Sequence, residues 1–166
     1  MLLAAALALT SVLHPIHLHP PQVTQHRYVS GGWVVTVGHD RFTDALVCSL
    51  KTRTMHYRKE TLIFHLKRGL ETTHAFYKID DGSAAPVSDV FHEVEAHGFF
   101  PRRGWVDDPA GGDVALPASY VHDARHVWIR ASTATRPMVF KVNRFDDALD
   151  HAHSEGCTED SFKATS

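Results

Sequence analysis

The sequence predicts a mainly β fold: an antiparallel β-sandwich, or a barrel-like relative, of about eight to ten short strands with one C-terminal helix. Three observations carry this expectation. From Trp33 onward, apolar and polar residues alternate over many short runs. Gly, Asp, Pro and Ser separate nearly all of these runs, as turns require. Near the end the period changes: Phe145, Ala148, Leu149 and Ala152 fall at helical spacing and form one apolar face. A chain of 166 residues suits one domain with a short leader. With 43% hydrophobic and 22% charged residues, it is not a disordered, collagen-like or multi-span membrane chain.

The elements follow in order. Gly31-Gly32 opens the domain, and a β-branched run over 33–37 follows. Runs over 45–50 and 55–57 come next. Over 61–66, Leu62, Phe64 and Leu66 share one face, with Ile63 and His65 on the other. The run 75–79 leads into Asp80-Asp81-Gly82-Ser83, a strong turn signal. Residues 87–96 read as a further strand, with Val90, His92, Val94 and Ala96 opposite Phe91, Glu93, Glu95 and His97. Runs over 114–116, 126–131 and 138–142 complete the set. Pro117 introduces one or two helical turns over 118–123. The clear helix is 144–153, with Asn143 as its cap, Asp146 and Asp147 at the positive end of the dipole, and Gly156 as terminator.

Residues 1–13 (MLLAAALALTSVL) are apolar, uncharged and too short to span a membrane, which needs about 20 residues. They suit the apolar region of a secretory signal. Residues 14–30 read as a linker, because Pro15, Pro20 and Pro21 oppose helix formation. The single β domain is then expected over 31–157, without a transmembrane span, and a flexible tail over 158–166. Cys48 and Cys157 lie 109 positions apart, which excludes CxxC redox and zinc motifs. In an exported chain the pair suggests one disulfide; in a reducing compartment it would be two buried thiols. Periplasmic or secreted placement is therefore expected.

The formal charge of −2 offers no general attraction for nucleic acid. The 14 histidines are unusual, since protonating all of them would reverse that charge around pH 6. His14, His17 and His19 have a spacing that lets several imidazoles reach one zinc or copper ion. His122 and His126 would share a helix face, but the helical stretch ends near Asp123, and HExxH is absent. His92 and His97 fall on opposite faces of the expected strand, and His151 with His153 suit the negative end of the helix dipole. There is no GxSxG and no phosphate loop, and the acid pairs 80–81, 107–108 and 146–147 serve turns and a helix start. Phe99, Phe100, Arg102, Arg103 and Trp105 form a basic aromatic patch suited to a protein, glycan or anion; the plain alternative is a loop packed on the sandwich edge.

The tryptophan-led strand Gly32-Trp33-Val34-Val35, the strand carrying Cys48, and the closing Phe145-x-x-Ala148-Leu149 helix resemble the bacterial invasion-associated locus B family. Asp40-Arg41-Phe42-Thr43-Asp44, ahead of Cys48, is similar to small exported alphaproteobacterial proteins of unknown function. The resemblance implies a periplasmic or secreted β-sandwich and supplies no catalytic residues. The sequence thus points to an exported, non-enzymatic module that binds a protein or envelope component. A periplasmic metal-binding protein using the His-rich segment is the second reading, and a hydrolase without a recognised motif the third.

Overall fold

The computed structural model describes residues 26–67, 69–72, 74–97 and 112–162. Among the described residues, ten strands form two antiparallel sheets, in keeping with the alternating runs. The first sheet is a meander of β1 (His26–Ser30), β2 (Trp33–His39), β3 (Leu46–Lys51), β4 (Met55–Arg58) and β5 (Thr61–His65), with β8 (Asp113–Pro117) beyond β5. The second has the order β10 (Met138–Lys141), β9 (His126–Arg130), β6 (Phe76–Ile79), β7 (Ala85–Pro86). Helix α1 (Phe91–Ala96) precedes β8, and helix α2 (Phe145–Ser154) follows β10.

Register explains the core. Val35 pairs with Leu50, Leu50 with Tyr57, Tyr57 with Leu62, and Leu62 with Leu116, so one face of the six-stranded sheet is continuously apolar. Two elements cover it. Phe145 of α2 lies against Trp33 and Tyr57, with ring centroids 5.2 and 5.6 Å apart. Phe140 of β10 meets Phe64 of β5 edge-on at 5.1 Å, joining the two sheets. Burying each of these aromatics stabilises by roughly 2–3 kcal/mol.

Helix α2 ends as expected. Gly156 (φ 88°) lets its own amide reach the His153 carbonyl and the Cys157 amide reach that of Ala152. This is a Schellman closure. Cys157 then bonds to Cys48 across the expected 109 positions. Gly31 (φ 56°) turns β1 into β2, and a Cβ there would meet the Arg144 side chain at 2.8 Å.

Four expectations need correction. Residues 87–96 are helical, not a strand: a 3-10 turn (Val87–Val90) runs into α1, burying Val87, Val90 and Val94. Those three valines carry a helical period inside the apparent alternation, and Pro86 supplies the extended entry. The linker does not extend to Ser30, because His26–Ser30 pair with β2 from Val37 to Trp33. Asn143 does not cap α2 with its side chain; Arg144 occupies that position with φ 66°, held by Asp147 at 2.6 Å, while the Asn143 carbonyl accepts the Trp33 indole N–H. The tail does not fray at Thr158. A 3-10 turn (Glu159–Ser161) leads to Phe162, which is buried and packs edge-on against Tyr57 at 4.9 Å. The 118–123 segment is a shorter 3-10 turn, Ala118–Val121.

Candidate functional site

Two polar arrangements stand out, one on the outer face of each sheet. The first is a hydrogen-bonded row. His65 on β5 pairs in register with Asp113 on β8, and its Nδ1 lies 2.8 Å from the Asp113 carboxylate. His56 on β4 pairs with Ile63, two residues along β5, which sets its ring diagonally beside that of His65. His56 Nδ1 and His65 Nε2 are 2.8 Å apart, and the rings are stacked with centroids at 4.8 Å.

Chemistry assigns the protons. A carboxylate only accepts, so His65 Nδ1 donates to Asp113. His65 Nε2 and His56 Nδ1 share the next hydrogen bond of the row. Burial first, then the neighbouring His65 charge, hold the His56 pKa down at about 4, so His56 is neutral at pH 7. Among the described residues, no group of three or more His, Cys, Asp or Glu converges as metal ligands. The row is a relay of paired groups.

The second arrangement is an aromatic and cationic surface on the four-stranded sheet. Along β9, Val127 and Ile129 point inward while Trp128 and Arg130 point out. Register sets Val139 and Lys78 on either side of Trp128, and Phe76 beside Arg130. Phe76 is 39% exposed, Trp128 38% and Val139 47%. Such values are uncommon for neighbouring large apolar side chains on a solvated face, which marks the patch. The Arg130 guanidinium lies over the Phe76 ring, 5.8 Å from its centroid. Phe76, Lys78, Trp128, Arg130 and Pro137 line an open cleft of about 310 Å³. Lys78, Arg130 and Lys141 make no ion pair among the described residues, so their charges face solvent.

Neither arrangement is one the sequence singled out. His14, His17 and His19 and the patch of Phe99, Phe100, Arg102, Arg103 and Trp105 lie outside the described residues. Cys48 and Cys157 are bonded. His122 and His126 separate: His122 pairs with Asp146, whose other oxygen accepts the Asp123 amide, and His126 lies 3.9 Å from Asp80. Asp80 also accepts the Arg125 and His126 amides, which hold its carboxyl below the usual range. His92 reaches Glu95 along α1, whereas His97 pairs with Glu60 at 2.7 Å, so the two do not converge. His151 stacks on Tyr28 at 3.9 Å, and His153 lies 3.4 Å from Glu159. Glu159 in turn accepts the Tyr57 hydroxyl at 2.7 Å; with burial as the larger cause, this pushes that hydroxyl's pKa up.

The relay had a sequence signal, since His65 was placed on the face opposite Phe64, but its partners depend on strand pairing. The aromatic surface had one as well: Trp128 and Arg130 alternate with Val127 and Ile129. No family model, curated protein or solved structure matches the chain.

Proposed function

We propose that the protein is an exported binding module of the bacterial envelope and that the outer face of the four-stranded sheet is its ligand surface. The observation that carries this is the row of exposed Phe76, Trp128 and Val139 flanked by Arg130, Lys78 and Lys141, which make no ion pair among the described residues. Leaving large apolar side chains in water does nothing for stability, whereas flat aromatic faces beside cations suit a ligand with ring faces and acid groups. An acidic glycan chain has both. Sugar rings lie on Trp128 and Phe76, and carboxylates meet Arg130 and Lys78.

Export is supported by the apolar leader and by the Cys48–Cys157 bond, since such bonds persist in oxidising compartments. The tryptophan-led β2, the strand bearing Cys48 and the closing α2 helix support kinship with the invasion-associated locus B family. Among the described residues, no helix is long and apolar enough to cross a membrane. The module is proposed to bind without turning over its ligand.

The test is a titration of the purified chain with a short oligogalacturonate, followed by tryptophan fluorescence. Saturable binding that weakens at least about tenfold in Trp128→Ala and in Arg130→Ala is expected. Equal binding by both variants, or tighter binding of a single-stranded oligonucleotide, would contradict the reading.

A further inference from the structure

We infer that the 40–45 loop of one copy of the chain seats in the cleft of a second copy. Phe42 enters between Phe76 and Trp128, and the Asp44 carboxylate meets Lys78 and Arg130. The inference rests on the reading of this cleft as a binding surface, and it adds a second copy of the chain as an occupant that competes with the glycan.

Three observations carry this. Phe42, between β2 and β3, is 99% exposed, yet the loop that holds it is tied down. Asp40 Oδ1 accepts the Phe42 and Thr43 amides, each at 3.0 Å, and the Thr43 hydroxyl at 3.1 Å. The Asp40 amide donates to the Ala45 carbonyl at 2.8 Å, which closes the loop. An aromatic ring held out on a fixed loop costs little ordering when it binds, and such rings anchor protein contacts. The cleft also has room. A benzene ring fits a cavity of about 150 Å³, and the cleft offers about 310 Å³ between the Phe76 and Trp128 rings. Finally, the charges match. The Asp44 side chain is 97% exposed, with His39 3.5 Å away, whereas Lys78 and Arg130 at the cleft make no ion pair among the described residues.

A ring so exposed is not seated in the cleft of its own molecule, so the cleft it fills belongs to another copy. The loop brings two carboxylates, Asp40 and Asp44, against one guanidinium, Arg41. The cleft face brings Lys78, Arg130 and Lys141, while Asp80 at its far end accepts the Arg125 and His126 amides. The two surfaces therefore attract, and the acid of the loop is directed to the cations of the cleft. Loop and cleft are different patches of one molecule, so the contact is heterologous and copies add head to tail. A contact with one anchor is small and belongs to the transient class. At low concentration the cleft is open to a glycan, and at high concentration neighbouring copies close it.

The test is sedimentation equilibrium of the full chain with no glycan present, so its outcome is independent of the oligogalacturonate titration, which is read on single copies below about 50 µM. The weight-average mass is expected to rise at least about 1.5-fold between about 50 µM and about 1 mM, the range of a contact with one aromatic anchor. Phe42→Ala and Trp128→Ala should each stay monomeric over that range; both side chains are exposed, so both variants keep the fold. An equimolar mixture of the two should regain association that stops at two copies, because one variant retains the cleft and the other the loop. Asp44→Asn keeps a residue that tolerates the left-handed backbone at φ 54°, and it should weaken association about two- to fivefold. A constant mass for the unaltered chain, association that persists in both alanine variants, a mixture that stays monomeric, or an unchanged Asp44→Asn would each overturn the proposal.

Discussion

The two sheets differ in what holds them and in what they expose. The six-stranded sheet is closed over its inner face by α2, stapled through Cys48 and Cys157, and carries its outer polar groups as a bonded row. The four-stranded sheet is shorter, and its outer face leaves Phe76, Trp128 and Val139 exposed beside cations that make no ion pair among the described residues. The difference separates two uses of apolar side chains. On the first sheet, Tyr28 and Val29 of the edge strand β1 aside, they are packed inside and lower the free energy of the fold. On the second, the exposed ones contribute little to stability, and the proposed ligand role would account for their position.

The sharpest way to break this comparison is to remove the staple. Replacing Cys48 and Cys157 by Ala should cost about 4–5 kcal/mol by the chain-entropy model, an upper guide, measured by urea unfolding. A loss below about 1 kcal/mol would show that the helix and sheet hold together without the bond. Phe145→Ala comes next. Its ring is 1% exposed and lies on Trp33 and Tyr57, so about 3–4 kcal/mol should be lost.

Acid gives the third effect. The folded His56 pKa, about 4, lies below its ordinary 6.5, so the unfolded chain takes up the proton first. Stability from this group is complete above about pH 6.5 and falls as the pH drops toward 4. Fully realised, the shift corresponds to about 3 kcal/mol; solvent contact lowers the expected loss to about 1–2 kcal/mol. His56→Gln should flatten that part of the stability profile between pH 6.5 and 4. The smallest effect is expected on the other sheet. Trp128→Ala and Phe76→Ala should each change unfolding free energy by no more than about 0.5–1 kcal/mol. A loss of 3 kcal/mol or more, as for a core aromatic, would mean that the face is structural.

Much of the fold was legible because period-two alternation and turn residues are local signals. Gly31-Gly32 marks the start of β2 in the sequence, but that it turns a hairpin, with both glycines at positive φ, emerges only with the pairing of β1. The Lys59-Glu60 hairpin uses the same geometry (φ 47° and 55°) without glycine. Its support is distant: the Glu159 carboxylate accepts the Glu60 amide at 3.1 Å. No reading confined to neighbours along the chain finds that clamp. The 87–96 segment misled because Val90 and Val94 fit the alternation as well as the helical period, whereas Val87 fits only the helical one, and packing chose that. The His56–His65–Asp113 row was hidden for a related reason. Its members come from β4, β5 and β8, and only register brings them together. The cysteine pairing was legible, because two cysteines allow one intramolecular bond.

The measurement that tests the central claim most directly is chemical-shift mapping of the full chain titrated with a short oligogalacturonate. Saturable shifts confined to β6, β9 and β10 are expected, largest at Phe76, Trp128 and Arg130, with the six-stranded sheet unmoved. Shifts centred on Phe99 to Trp105 or on the His-rich 14–19 segment, or no shifts at all, would contradict it.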